Sequence, residues 1–85
     1  MIRQIEPNDR ERWTELWRGY LTFYETVLPE DVYAATWARL FDPAEPVYGA
    51  LSLDGSGTPV GLVHYLYHRT TWSSADSCYL QDLYV

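Results

Sequence analysis

The sequence predicts an α+β domain in the order β-α-α-β-β-β, and three features predict it. Apolar residues recur at steps of three and four from Trp13 to Val27, the period of a helix with one buried face. Pro29 restarts that pattern in a second segment. From Pro46 the period drops to two, which is the repeat of strands. Two helices laid against a mainly antiparallel sheet are the packing this order implies.

The elements follow in turn. Ile2 to Ile5 forms a short first strand, stopped by Pro7. Asn8 stands three residues before Glu11 in the spacing of a capping box. The first helix then carries Trp13, Leu16, Trp17, Tyr20, Leu21, Tyr24 and Val27 on one face. Gly19 costs that helix about 1 kcal/mol relative to Ala, which the periodicity outweighs. Pro29 opens the second helix where its missing N–H costs nothing, and Glu30 and Asp31 suit the positive end of the helix dipole. Tyr33, Trp37, Leu40 and Phe41 make its apolar stripe, and Asp42-Pro43 ends it.

Val47 to Leu53 is the second strand, and Asp54-Gly55-Ser56-Gly57 is a strong turn signal. Val60 to His68 returns antiparallel to it. Residues 70–77, TTWSSADS, form a longer polar connection, and Cys78 to Val85 is the last strand. No repeat or linker divides the chain, so 1–85 is one domain.

Composition narrows the function. Eighty-five residues, 47% hydrophobic, with four Trp and eight Tyr, suffice for a core. A net charge of −6 disfavours a protein that tracks nucleic-acid phosphates. It suits either a cationic amine substrate or solubility alone. Cys78 is the single cysteine, which excludes an internal disulfide and fits a reducing compartment. No apolar run approaches the ~18 residues of a membrane span, and the N-terminus has no signal-peptide core. The expectation is a soluble, cytoplasmic protein.

Few residues announce chemistry by themselves. His64 and His68 share one strand face but stand about 13 Å apart, too far for one metal ion, and read as half-exposed strand residues. Cys78 has no basic neighbour in sequence to stabilise a thiolate and reads as a small buried hydrophobe. Nucleophile-elbow and phosphate-loop motifs are absent. Phe23 and Tyr24, near the end of the first helix, are candidates for the mouth of a pocket. In the last strand, alternation puts Tyr79, Gln81, Leu83 and Val85 on one face and Leu80, Asp82 and Tyr84 on the other. Gln81 and Asp82 therefore reach a common pocket only if a bulge breaks the alternation.

The element order, the closing Y-L-Q-D-L-Y-V, and the stretches G-Y-L-T-F-Y (19–24), A-T-W-A-R-L (35–40), G-L-V-H-Y-L (61–66) and T-T-W-S (70–73) resemble the amino-terminal half of the GNAT superfamily of N-acetyltransferases. The likeness covers essentially the whole chain and is strongest to bacterial relatives of the yeast histone and polyamine acetyltransferases. It implies transfer of acetyl from acetyl-CoA to an amine. It also implies a bulged fourth strand, with backbone groups at Leu83, Tyr84 and Val85 binding the thioester and pantetheine. Gln81 stands where relatives often carry Glu and could only orient substrate or water, because a carboxamide does not titrate. Asp82 is left as the candidate base. The family's R/Q-x-x-G-x-G/A pyrophosphate loop is absent, so the resemblance reads the chain as truncated, with weak or no acetyl-CoA binding by itself.

The acceptor stays open among polyamine, histone-like lysine, amino acid and small drug amine. The competing reading is a non-catalytic interaction domain that pairs through the open edge of 78–85, either as a homodimer or with a separate carboxy-terminal half.

Overall fold

A computed structural model describes residues 1–85. The architecture is the expected α+β one. Strand β1 (Ile2–Gln4) leads through a 3-10 turn (Pro7–Asp9) into helix α1 (Arg10–Phe23), and helix α2 (Glu30–Leu40) follows. Strands β2 (Val47–Leu53), β3 (Pro59–His68) and β4 (Ser77–Tyr84) complete the chain. The sheet runs β1-β2-β3-β4 with every neighbouring pair antiparallel. No helix is long and apolar enough to cross a membrane.

The core lies where α1 and α2 cover one sheet face. Trp13 is wholly buried and packs at a tilt against Trp17 (5.2 Å between centroids) and Trp37 (5.0 Å), while Trp17 meets Tyr33 at 5.0 Å. Beneath them sit Leu51 and Leu62, paired across β2 and β3. Aromatic pairs at such spacings add to the free energy of simple burial. Gly49 leaves room for Ile5 and for Leu40 of α2 over the sheet, because a Cβ there would stand 2.5 Å from the Ile5 side chain and 3.4 Å from that of Leu40.

The entry to α1 differs from the Asn8–Glu11 expectation. The reciprocal cap is made by Glu6 and Asp9, shifted toward the N-terminus by two residues, since Pro7 nucleates the 3-10 turn first. Asp9 is buried and accepts from the Glu6 amide (2.8 Å) and from both Arg3 guanidinium nitrogens (2.7 and 2.9 Å). Arg3, followed by the backbone donor of Glu6, lowers the Asp9 pKa against the opposing effect of burial. This bidentate pair ties β1 to the start of α1.

The apolar stripes are shorter than the periodicity implied. Helix α1 ends at Phe23, and Glu25 turns left-handed at φ 56°. The amides of Glu25 and Thr26 bond back to the carbonyls of Thr22 (2.9 Å) and Leu21 (2.8 Å). That is a Schellman termination without the usual glycine. Tyr24 and Val27 consequently leave the buried face and are exposed. Phe41 lies beyond α2 and packs on Trp37 at 4.8 Å from the rim rather than inside the core. Cys78 is also exposed, not buried, because residues 78 to 80 lie on the uncovered edge strand. The Asp54–Gly57 turn forms as expected, with Asp54 Oδ1 accepting from the Ser56 and Thr58 amides.

Candidate functional site

The register between β3 and β4 builds the site. His64 pairs with Asp82, yet the next pair is Tyr65 with Leu80, so Gln81 is an extra residue in β4. This bulge is what the alternation rule required before Gln81 and Asp82 could share a pocket. Both residues border one hollow of about 140 Å³, together with Trp17, Thr36, Arg39, Val47 and His64. The hollow lies on the helix side of the sheet, between α1, α2 and the three strands.

His64 is not the half-exposed residue that its strand position implied. It is buried, since β3 alternation puts it between Leu62 and Leu66 on the covered face. Its Nε2 accepts a hydrogen bond from Trp13 Nε1–H at 2.9 Å. An indole nitrogen only donates, so Nε2 carries no hydrogen and Nδ1 does. That Nδ1–H donates to Asp82 Oδ2 at 2.9 Å. The tautomer is therefore set from inside the core. His68, four residues on, is exposed, with Nδ1 3.0 Å from the Arg69 carbonyl oxygen.

Asp82 is the electrostatic centre of the site. Burial works against its charge, but donors from His64 and Tyr20 outweigh burial and hold its pKa below the ordinary carboxylate value. Tyr20 shows the complementary effect. Burial, and after it the facing Asp82 carboxylate, pushes its phenol up to about 12. Tyr20 thus stays protonated as a donor while Asp82 stays ionised. Trp17 Nε1 is buried and has no hydrogen-bond partner.

A second hollow, of about 240 Å³, is lined by Tyr20, Phe23, Tyr24, Leu83, Tyr84 and Val85. It brings the Phe23–Tyr24 pair at the end of α1 onto the 83–85 segment of β4, although these residues lie sixty positions apart in sequence. Gly19 supports this contact, since a Cβ there would stand 2.8 Å from the Tyr84 hydroxyl. Tyr20 belongs to this hollow while its hydroxyl faces Asp82 in the first. An apolar chamber and a polar one therefore meet at the Tyr20–Asp82 contact. A larger hollow of about 420 Å³ at the β2–β3 hairpin brings together Met1, Leu53, Asp54, Gly55 and Gly57, with no convergent set of polar side chains.

Asp82, Gln81, Phe23, Tyr24, Leu83, Tyr84 and Val85 are the candidates that the sequence offers, and the structure distributes them over the two adjoining hollows. The sequence did not single out His64, Trp13, Tyr20, Trp17 and Arg39, which the structure brings to the same hollows or into the hydrogen-bond chain that leads to Asp82. For His64 the signal was present: alternation in G-L-V-H-Y-L puts the imidazole on the face of two leucines.

No family model matches the chain. Over its whole length it is 42% identical, across 86 aligned positions, to the D-amino-acid N-acetyltransferase HPA3 of Saccharomyces cerevisiae. The chain spans about half, 53%, of the length of that relative. The relationship is thus with an N-acetyltransferase.

Proposed function

We propose that this chain, the relative of an N-acetyltransferase along its whole length, is part of a GNAT-superfamily enzyme of the histone/polyamine-like group that moves acetyl from acetyl-CoA to a primary amine. The observation that carries the reading is the bulge at Gln81, which turns an ionised carboxylate and a carboxamide into one hollow beside an apolar chamber. The residues suit the donor. The acetyl group and the thioethyl end of pantetheine are slender and apolar, as is the Phe23, Tyr24, Leu83, Tyr84 and Val85 chamber. Because β4 is an edge strand, alternate backbone N–H and C=O groups point away from β3. They are free to bond the thioester arm, and an N–H aimed at the carbonyl oxygen would stabilise the oxyanion.

In this reading the acceptor's nitrogen lies beside Asp82 and is oriented by Gln81. The nitrogen attacks the thioester carbonyl carbon, the carbon–sulfur bond breaks, and CoA leaves as a thiol. Asp82 receives the proton that the nitrogen sheds. The donors that keep Asp82 ionised also make it a modest base, so transfer occurs as the bonded nitrogen turns acidic in the adduct. The 85 residues hold no glycine-rich loop at a helix N-terminus to seat the CoA pyrophosphate. Alone they bind acetyl-CoA weakly, and stoichiometric tight binding in calorimetry overturns that point.

Thiol release from acetyl-CoA by the complete gene product tests the activity. Release should depend on added amine and fall by about 10²-fold or more in Asp82→Asn, the usual worth of a positioned base. Amine-independent release, or an unchanged rate in the variant, overturns the assignment.

The exposed outer edge of β4, with Tyr79, Leu80 and Leu83 uncovered, favours a second reading in which that edge pairs with another strand. The added strand comes from a second copy or from a separate carboxy-terminal half. Sedimentation separates this from a free edge, since a monomer at high concentration excludes the self-pairing form.

A further inference from the structure

In acetyl transfer as proposed above His64 has no task, although its imidazole is buried and bonded directly to the proposed base. Burying a polar group costs free energy unless its polar atoms find partners, and at His64 both ring nitrogens have one. Nε2 accepts from Trp13 Nε1–H and Nδ1–H donates to Asp82 Oδ2, each at 2.9 Å. The two bonds lie on two sides of one rigid ring. Three elements hold them in line, with Trp13 on α1, His64 on β3 and Asp82 on β4.

An imidazole beside a carboxylate can carry a proton onward, or it can hold the carboxylate in place. Carriage requires an acceptor beyond the ring. Here the next group is an indole, which only donates, and Trp13 is wholly buried, so no solvent reaches it. A proton received by Asp82 therefore has no route through His64. It leaves by the hollow, where the Asp82 side chain is 17% exposed. The mechanical role remains. With Nε2 held by Trp13, the ring cannot flip without stranding a buried indole N–H, so Nδ1–H is a fixed donor. Asp82 needs such a hold. It is the first paired residue after the extra Gln81, and a bulge bends its strand and interrupts the ladder that would otherwise aim the side chain.

We infer that His64 is a positioning residue: it fixes the Asp82 carboxylate beside the Gln81 bulge so that the carboxylate faces the acceptor amine, and Trp13 fixes His64 in turn. The inference rests on the acetyl-transfer reading above. It couples a side chain of the innermost core to the reacting nitrogen through two hydrogen bonds.

Two substitutions separate positioning from packing. His64→Leu and His64→Asn both deprive Trp13 of its acceptor. They differ at Asp82, because the asparagine amide nitrogen falls near the place of Nδ1 and can donate to the carboxylate. Thiol release from acetyl-CoA by the complete gene product, at varied amine concentration, gives kcat and KM for each. His64→Leu should lower kcat by about tenfold or more with little change in KM, since aim of the base is felt in the transition state. His64→Asn should keep kcat at least about fivefold above that of His64→Leu. Should leucine not fold, His64→Met serves as the variant without a donor. Equal kcat in the two variants, or a loss carried by KM alone, overturns the inference. Imidazole ¹⁵N NMR of the wild-type chain adds an arm that needs no variant: His64 should be protonated at Nδ1, and the Nε2–H tautomer overturns the inference. Wild-type protein without amine-dependent thiol release overturns the acetyl-transfer reading and the inference with it. Active wild type with equal variants overturns the inference alone.

Discussion

Replacing His64 with leucine should cost the domain about 2–4 kcal/mol, most of it from two groups that the substitution leaves behind. Trp13 is completely buried, so its indole N–H loses its only acceptor and keeps the desolvation penalty of about 1–3 kcal/mol. Asp82 loses a donor to a charged group, worth about 1.5–3 kcal/mol. Its side chain is 17% exposed, and returning water places that loss at the lower end. Leucine recovers about 1 kcal/mol through its greater apolarity. Set against roughly 4–13 kcal/mol of total stability for a chain of this length, the change is large and measurable.

A double-mutant cycle isolates the interaction. Trp13→Phe removes the donor that His64→Leu strands, so the two costs should overlap. The pair should be less destabilising than the sum of the singles by about 1 kcal/mol or more. Urea unfolding with an unchanged slope provides each value. Acid dependence supplies a second check. The folded pKa of Asp82 is lowered, so its contribution is full above the unfolded carboxylate value of about 3.9. That contribution is lost as pH falls through the folded value. The gap between wild type and His64→Leu should therefore be widest above about pH 4 and narrow in acid. Strict additivity in the cycle, together with a gap independent of pH, would refute the Trp13–His64–Asp82 chain as described.

Two other perturbations follow from the fold. Asp9→Asn should destabilise by about 1.5–3 kcal/mol at neutral pH by unpairing the buried end of the Arg3 contact. Because the Asp9 pKa is lowered, that cost should shrink as pH falls through the folded value, which denaturant unfolding across acid pH would show or deny. Glu25→Gly should stabilise by up to about 1 kcal/mol, since glycine adopts the left-handed residue of the α1 terminus without strain; a lower melting midpoint would contradict the termination geometry.

Much of the fold was legible because its signals are local. Helical periodicity marked Trp13, Leu16, Trp17 and Leu21 as core, and all four are buried. The Asp54–Gly57 turn and the two strands around it were equally readable, since turn chemistry lies within a few residues. Where neighbours competed, local reading failed. Tyr24 and Val27 kept the period but not the helix, because backbone bonding at Glu25 and Thr26 closed it about one turn sooner than the pattern suggested. Cys78 sat in an apolar strand pattern yet lies on an edge that nothing covers.

By itself the sequence determined the order of elements, the helix stripes, the hairpin and the candidate status of Asp82. Each of these depends on residues within a turn or two of one another. Only the tertiary structure decided that Gln81 is a bulge, because an extra residue exists only relative to a partner strand. It likewise decided that His64, eighteen residues before Asp82 and fifty-one after Trp13, joins them through its two ring nitrogens. Helix packing over the sheet then put Arg39 and Trp17 around the same carboxylate. Those placements depend on the register and docking of distant segments, which periodicity does not encode.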